Sequence, residues 1–305
     1  MTRYIGLSLC ERGLRAVAVR KRRRRTQVLG CAERSWPSSC LRPDFRELNA
    51  IEEESFVATV RNALQSLGVR RGRIALSLSD AVGKMLITTL DNPLKRGREG
   101  INLLKWQLRE QLLLDPEEIR LAFQVIGTDP GGRTRVLVAA AGNAVLEQYE
   151  NLLTAVGATP AIVLFDSLNL MHFYHSRGSL GDHLLITRAS ATLTLHLYRE
   201  GRLQACRCRP APADERTLFQ EVSRTLAAWE GTWPEAATVP AYLHETTGVA
   251  SCREALEGAL GRVPQAPPTP LNVLAPGPEG GGQRFEPDYF AAVGGAERLI
   301  YPFGR

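Results

Sequence analysis

The stretch YIGLSLCERGLRAVAV, residues 4–19, has a pattern that could bind the phosphate groups of a nucleotide. Apolar and small residues alternate on both sides of the turn CERG, which predicts two antiparallel strands joined tightly. Such a turn can direct backbone N–H groups at phosphate oxygens when small residues allow a close approach. Here Glu11 lies in the turn, where its carboxylate would repel a phosphate. The pattern therefore predicts the shape of a phosphate-binding hairpin without its usual chemistry.

Other residues with catalytic or metal-binding potential lack the partners that such chemistry needs. His172 and His175 have a helical spacing that suits a metal ion, but no third ligand stands nearby in the sequence. Asp166, Asp182 and His183 suggest acid–base catalysis, yet no nucleophile motif accompanies them, and we interpret them as structural. The cysteines lack the paired spacing of a zinc site, so we expect reduced thiols and no metal.

The composition of the 305 residues indicates a folded protein with a net charge of +6. No apolar run reaches the roughly 18 residues of a membrane span, and the N-terminus has a strand pattern rather than that of a signal peptide. We therefore expect a soluble, cytoplasmic protein. Much of the positive charge lies in RKRRRR, residues 20–25, which we interpret as an exposed hairpin tip that can also contact an anionic membrane. A role in nucleic-acid binding is disfavoured because no known binding module is recognisable.

Strand and helix patterns divide the chain into two lobes of mixed α/β structure. The first lobe, residues 1–177, opens with three strands and contains a smaller α/β block at about 73–157. The second lobe, residues 178–305, opens with another three-strand pattern, which suggests an internal duplication. A Pro/Gly-rich connector covers about 263–284.

These segments, in this order, resemble the actin-like ATPase superfamily, and within it the PilM and MshI proteins of type IV pilus assembly, with FtsA more distant. The opening hairpin resembles a first phosphate hairpin, and LLITRASATLTLHLYREGRL resembles the second. The segments LREQLLLDPEEIRLAFQVIG and VLVAAAGNAVLEQYENLLTAVGATP resemble the inserted subdomain of PilM, and FAAVGGAERL resembles the closing helix. The resemblance covers most of the chain. It implies an actin-like (ribonuclease H-like) two-lobe α/β fold with a small subdomain inserted in the first lobe.

In the ATP-binding members of this superfamily, each phosphate hairpin carries an acidic residue that holds magnesium, together with small turn residues. The resemblance implies that these features are degenerate here, since a hydroxyl residue stands at each acidic position. The degenerate nucleotide positions are Ser8, Cys10, Glu11, Thr187, Arg188, Gly294 and Gly295. Without magnesium, little neutralises the charge of a transferred phosphoryl group. We therefore expect a pseudo-ATPase with no catalytic residue, no metal and no required cofactor; weak ATP binding stays open.

The resemblance also implies a function as a scaffold at the bacterial inner membrane. PilM-like proteins bind the N-terminal cytoplasmic tail of a PilN-like membrane subunit in a groove between the first lobe and its inserted subdomain. The expected lining residues are Leu104, Leu108 and Phe123. The residues expected to face the membrane are Arg22, Arg23, Arg24 and Arg25. The alternatives are a divergent actin-like ATPase or sugar-kinase-like enzyme, and a filament former that needs no nucleotide.

Overall fold

The computed structural model describes residues 2–22, 25–37, 39–95, 97–175, 180–246, 252–268 and 286–301. Most of the predicted connector therefore lies outside the described residues. The strands are β1 (Tyr4–Cys10), β2 (Gly13–Arg22), β3 (Arg25–Ser35), β4 (Gly72–Leu78), β5 (Gly83–Leu90), β6 (Ile119–Thr128), β7 (Thr134–Gly142), β8 (Ala158–Phe165), β9 (His183–Arg188), β10 (Thr192–Arg199), β11 (Arg202–Pro210) and β12 (Ala241–Glu245). The helices are α1 (Glu53–Ser66), α2 (Arg98–Gln107), α3 (Arg109–Leu112), α4 (Asn143–Ala155), α5 (Asp166–His175), α6 (Glu215–Glu230), α7 (Arg253–Leu260) and α8 (Phe290–Ile300).

The chain forms two compact units, each made of segments that are separate in the sequence. Unit 1 comprises residues 1–82, 145–179 and 268–305, and unit 2 comprises residues 83–144 and 180–267. The sheet of unit 1 has the strand order β3-β2-β1-β4-β8. Because β1, β4 and β8 are parallel, their carboxyl ends meet at one edge of the sheet. Their amino ends meet at the opposite edge, together with the end of β2 and the start of β3.

Helix α8 covers the sheet of unit 1 through close backbone contacts that only glycine permits. A Cβ atom at Gly6 of β1 would overlap the carbonyl oxygen of Ala292, and one at Gly294 would overlap that of Asn169 in α5. The buried Arg298 strengthens this packing, because its Nε donates to Asn169 Oδ1 at 2.8 Å. The glycines of α8 thus have a packing role that offsets their low helix propensity.

Unit 2 contains two sheets, each with its own core. The antiparallel sheet β5-β7-β6 packs against α2 and α3, and the sheet β11-β10-β9-β12 packs against α6 and α7. Arg135 of β7 connects them, since its Nη1 donates to Gln204 Oε1 of β11 at 2.7 Å. The same guanidinium lies 5.0 Å from the ring centre of Trp233, a favourable cation–π distance.

The predicted duplication is visible in the two larger sheets. In each, three consecutive antiparallel strands are followed by a parallel strand next to the first, in the orders β3-β2-β1-β4 and β11-β10-β9-β12. The α/β class predicted from the sequence is therefore confirmed.

The compact units differ from the predicted lobes chiefly in residues 83–144, which the sequence placed in the first lobe and which belong to unit 2. Two further differences concern single elements. Strand β4 belongs to the large sheet of unit 1, so the three-stranded block begins at Gly83 rather than near residue 73. Helix α8 packs on unit 1 although the sequence placed it in the second lobe. Both differences arise because periodicity predicts an element but not the sheet on which it packs. The assignment of residues to two lobes stays a prediction.

We expect Gly294→Ala to lower the free energy of unfolding by about 1–3 kcal/mol or more, since the new methyl group must displace backbone atoms. Gly72→Ala is the matched control, because nothing lies within 4 Å of its added Cβ. Urea unfolding of both variants measures the difference. Equal stabilities would contradict the role assigned to Gly294.

Candidate functional site

A cluster of polar side chains lies at the carboxyl edge of the unit 1 sheet. Ser8 is near the end of β1, is 7% exposed and donates from its Oγ to Asp166 Oδ1 at 2.9 Å. Asp166 follows β8 directly and begins α5, which explains how residues 158 positions apart come into contact. Asp80 follows β4 at the same edge, is buried and accepts a hydrogen bond from the backbone N–H of Ser167 at 3.1 Å.

The environment of Asp166 disfavours its ionised form. Burial raises the pKa of this carboxyl to about 7, and the nearby Asp80 carboxylate contributes in the same direction. The Ser8 hydrogen bond and Arg15 lower the pKa by smaller amounts. A carboxyl group with a pKa near neutrality can accept or release a proton at physiological pH. The sequence-based interpretation of Asp166 as purely structural therefore missed a group with a perturbed pKa.

Arg15 organises the outer side of this cluster. It pairs with Ser8 across the β1–β2 hairpin, and its Nη2 lies 2.7 Å from Asp288 Oδ2 and 2.9 Å from Glu33 Oε1. Its Nη1 also donates to Cys10 Sγ at 3.4 Å. The guanidinium of Arg15 is thus already engaged by two carboxylates and a thiol.

The turn of the first hairpin presents a carboxylate to solvent. Glu11 is exposed, and the backbone carbonyl of Cys10 accepts a hydrogen bond from Trp36 Nε1 at 2.7 Å. The degeneracy of this turn stays a prediction, and the structure shows that the Glu11 side chain is exposed there.

The second hairpin repeats the first with the same register. Ser8 pairs with Arg15 and Thr187 pairs with Thr194, so each hydroxyl residue lies seven positions before its cross-strand partner. Thr187 is also 7% exposed, and its Oγ1 has no hydrogen-bond partner among the described residues. A hydroxyl group therefore occupies the equivalent position of both hairpins.

The end of β9 carries further polar groups, all within unit 2. Arg188 is partly buried and donates through Nη2 to the carbonyl oxygen of Pro212 at 3.5 Å. Its own carbonyl accepts from the N–H of Thr246 at 3.2 Å. Nearby, Cys252 Sγ contacts Glu245 Oε1 at 3.3 Å, and burial raises the pKa of this thiol to about 12. Cys252 is therefore a protonated, unreactive thiol at neutral pH.

The predicted nucleotide positions Gly294 and Gly295 have a different explanation in the structure. A Cβ atom at Gly295 would lie 3.3 Å from both Ser77 Oγ and Asn169 Nδ2. Together with the overlap at Gly294, this places both glycines in the contact of α8 with β4 and α5. Their small size is accounted for by packing within unit 1, whatever they do toward a ligand.

The prediction that Leu104 and Leu108 line a binding groove is wrong. Leu104 is fully buried and Leu108 is 1% exposed, and both belong to the core between α2, α3 and the three-stranded sheet. Phe123 of β6 packs against the same core but is only partly buried, so it stays a candidate contact. The apolar residues that face solvent on α2 are Leu103 and Trp106. Leu103 and Trp106 are three positions apart, a helical spacing that indicates a second apolar face on α2.

The predicted arginine tip is described only in part. Arg22 is exposed near the end of β2, and Arg25 begins β3. Arg23 and Arg24 lie outside the described residues.

Two further searches of the described residues gave negative results. They contain no group of three or more His, Cys, Asp or Glu side chains that could hold a metal ion. No helix in the described part of the chain is long and apolar enough to cross a membrane.

The structure is similar to solved proteins of the actin-like fold. It matches a chain of a PilM–PilN type IV pilus biogenesis complex with a TM-score of 0.78 and 18% identity, over 98% of this chain and 99% of that chain. The cytoplasmic domain of EpsL, an inner-membrane component of the type II secretion system of Vibrio cholerae, matches with a TM-score of 0.52 and 11% identity. This match covers 100% of this chain and 97% of that chain. A Bacteroides thetaiotaomicron protein with an actin-like ATPase fold matches with a TM-score of 0.51 and 11% identity, over 86% of this chain and 89% of that chain. No family model and no curated protein sequence matches the chain. The predicted actin-like α/β fold is confirmed.

We expect Asp166→Asn to change how stability depends on pH. The folded protein holds the Asp166 proton up to a pH of about 7, whereas an unfolded aspartate loses it near 3.8. The contribution of Asp166 to the free energy of unfolding therefore falls as the pH rises between these two values and is level above them. The variant lacks this fall, so its stability relative to wild type should increase by at most about 4 kcal/mol from acid to pH 8.

Urea unfolding at a series of pH values measures this difference. Asp91→Asn, which removes an exposed carboxylate, is the control. Parallel pH curves for the wild type and the Asp166 variant would show that this carboxyl ionises normally.

We expect Leu104→Ala to lower the free energy of unfolding by about 2–5 kcal/mol, because it leaves a cavity in the core of the three-stranded block. Leu103→Ala, on the next position of the same helix, removes a side chain that is 47% exposed and should change stability by less than about 0.5 kcal/mol. Thermal and urea unfolding compare the two. A larger loss for Leu103 would reverse the assignment of the two helix faces.

Proposed function

We propose that this protein is a PilM-like scaffold of type IV pilus assembly, or of a related secretion system, and that it binds the N-terminal tail of a PilN-like membrane subunit. The observation that carries the proposal is the similarity to a chain of the PilM–PilN complex over 98% of this chain and 99% of that chain. A likeness of this extent includes the inserted subdomain as well as the common actin-like core. The likeness to EpsL, a component of another membrane-spanning machine, supports the same class of function.

The polar edge of unit 1 supports a function that does not depend on ATP hydrolysis. Magnesium prefers oxygen ligands, and ATP-binding relatives supply a carboxylate from each phosphate hairpin. Ser8 and Thr187 provide neutral hydroxyl groups at these equivalent positions. Loss of one charge-stabilising group commonly lowers a rate by roughly 100-fold or more. The protein therefore acts as a pseudo-ATPase whose fold is retained for its binding surfaces, with no required cofactor.

Binding of an extended tail would combine backbone contacts with pockets for apolar side chains. Phe123 is the one predicted lining residue that keeps accessible surface, so it is the contact we assign to the tail. Leu104 and Leu108 act indirectly, because they hold α2 against the sheet that carries Phe123. The proposed location is the cytoplasmic side of the inner membrane, where such a tail is presented.

A divergent actin-like enzyme is the second candidate, and Asp166 is the observation that favours it. Its carboxyl lies 2.9 Å from Ser8 Oγ at the carboxyl edge of parallel strands, and its pKa is raised to about 7. A group with these properties suits a general base. Isothermal titration with ATP separates the candidates, because an enzyme of this class requires affinity that depends on magnesium.

We expect a synthetic tail of the PilN-like subunit from the same organism to bind the full chain, with an affinity that Mg·ATP does not change. Phe123→Ala should weaken this binding by about ten-fold, which corresponds to the loss of one well-buried aromatic contact. Phe219→Ala, which removes a 42% exposed aromatic ring from α6, is the matched control and should have no effect. Isothermal titration calorimetry measures both.

A scrambled tail peptide tests specificity in the same titration. The proposal is refuted if the tail shows no binding while Mg·ATP binds with micromolar affinity that is lost without magnesium. That second result would establish the enzyme in place of the scaffold.

A further inference from the structure

The amino edge of the unit 1 sheet, opposite the Ser8 cluster, concentrates positive charge from separate parts of the sequence. Parallel pairing of Ile5 with Ile74 and of Gly72 with Ala158 brings the starts of β1, β4 and β8 together. Antiparallel pairing of Tyr4 with Val19 brings the end of β2, with Lys21 and Arg22, to the same edge. The described part of the basic run 20–25 therefore belongs to a larger surface.

The described segments that end at this edge are residues 2–3, 20–22, 61–73 and 154–159. They contain eight of the 38 Lys and Arg residues of the chain, and no Asp or Glu. We call this surface the basic edge. Its members are Arg3, Arg20, Lys21, Arg22, Arg61, Arg70, Arg71 and Arg73. Those described as exposed are Arg3, Lys21, Arg22, Arg61, Arg70, Arg71 and Arg73.

A cleft of about 530 Å³ lies within the basic edge. It is lined by Arg61, Arg70 and Arg71 and by the turn at residues 154–157 before β8, with no acidic residue. Helices α1 and α4 end here, and each helix terminus contributes roughly half a negative charge. Two termini therefore offset about one of the three arginine charges, and the cleft remains positive.

Some arginines of the protein are already paired with carboxylates. Arg15, Arg199 and Arg207 each lie within 3.1 Å of a carboxylate oxygen. Within the described part of the chain, Arg70, Arg71 and Arg73 have no such salt bridge. Their charge is therefore available to an external anion.

We infer that the basic edge docks on the surface of an anionic phospholipid bilayer. The edge extends across five strands, or roughly 20 Å, which suits a charged plane better than a single anion. Exposed Tyr301 lies beside it under Lys21 Nζ, at 4.9 Å, and such an aromatic ring suits the membrane–water interface. The preference for a bilayer over a nucleic acid rests on the proposed function, because that function places the binding partner in a membrane.

Vesicle co-sedimentation of the full chain, without any partner, tests this inference. We expect binding to vesicles that contain phosphatidylglycerol, weakening with added salt, and no binding to phosphatidylcholine alone. The test variant carries Arg70→Gln, Arg71→Gln and Arg73→Gln. The control variant carries Arg216→Gln, Arg224→Gln and Arg253→Gln, which remove the same charge from exposed positions of unit 2. The test variant should bind roughly 100-fold more weakly, at about five-fold per arginine, and the control should stay within about five-fold of wild type.

Three results would overturn the inference. Equal losses of vesicle binding in the test and control variants would show that only the net charge of the protein matters. Binding to neutral vesicles would show that the basic edge is not responsible. Tighter binding of duplex DNA than of anionic vesicles, measured by fluorescence anisotropy at the same salt, would assign the surface to a nucleic acid.

Tail titration on the test variant separates this inference from the proposed function. Unchanged tail affinity with lost vesicle binding supports both the basic edge and an independent tail site. Wild-type vesicle binding without tail binding would refute only the proposed function. Tail binding by the wild type without vesicle binding would refute only the basic edge.

Discussion

Parallel pairing of β1 with β4 and β8 is the constraint on which the rest of unit 1 depends. This pairing sends three carboxyl ends to one edge of the sheet and three amino ends to the other. The first edge therefore contains Ser8, Asp80 and Asp166. The second contains Arg3 before β1 and Arg70 and Arg71 before β4. Neither cluster is local in sequence, so both exist only because the sheet has this order. Glycines in β1 and α8 then allow α8 to pack closely against the sheet and against α5.

The chemistry of the polar edge depends on the hydroxyl group of Ser8. A carboxylate at position 8 would lie next to Asp166, whose ionised form is already disfavoured by burial and by Asp80. Ser8 carries no such charge and donates a hydrogen bond to Asp166 instead. Thr187 places a hydroxyl group at the equivalent position of the second hairpin.

The sequence was sufficient for features that depend on local pattern. Alternation predicted both hairpins and the duplication. It was insufficient where the answer depends on packing. Asp166 contacts Ser8, which lies 158 positions away in the sequence. No local sequence pattern predicts that the Asp166 carboxyl group is buried. Leu103 and Leu104 are adjacent apolar residues on a helix with two apolar faces, and only the sheet beneath α2 decides which of them is buried.

The central claim is that the actin-like fold is retained here for binding a peptide tail rather than for holding Mg·ATP. Hydrogen exchange of the full chain, measured with each ligand in turn, tests this claim most directly. The account requires slower exchange around Phe123 when the tail is present, and unchanged exchange in the hairpins 4–22 and 183–199 when Mg·ATP is added. Protection of both hairpins by Mg·ATP, with no protection by the tail, would contradict it.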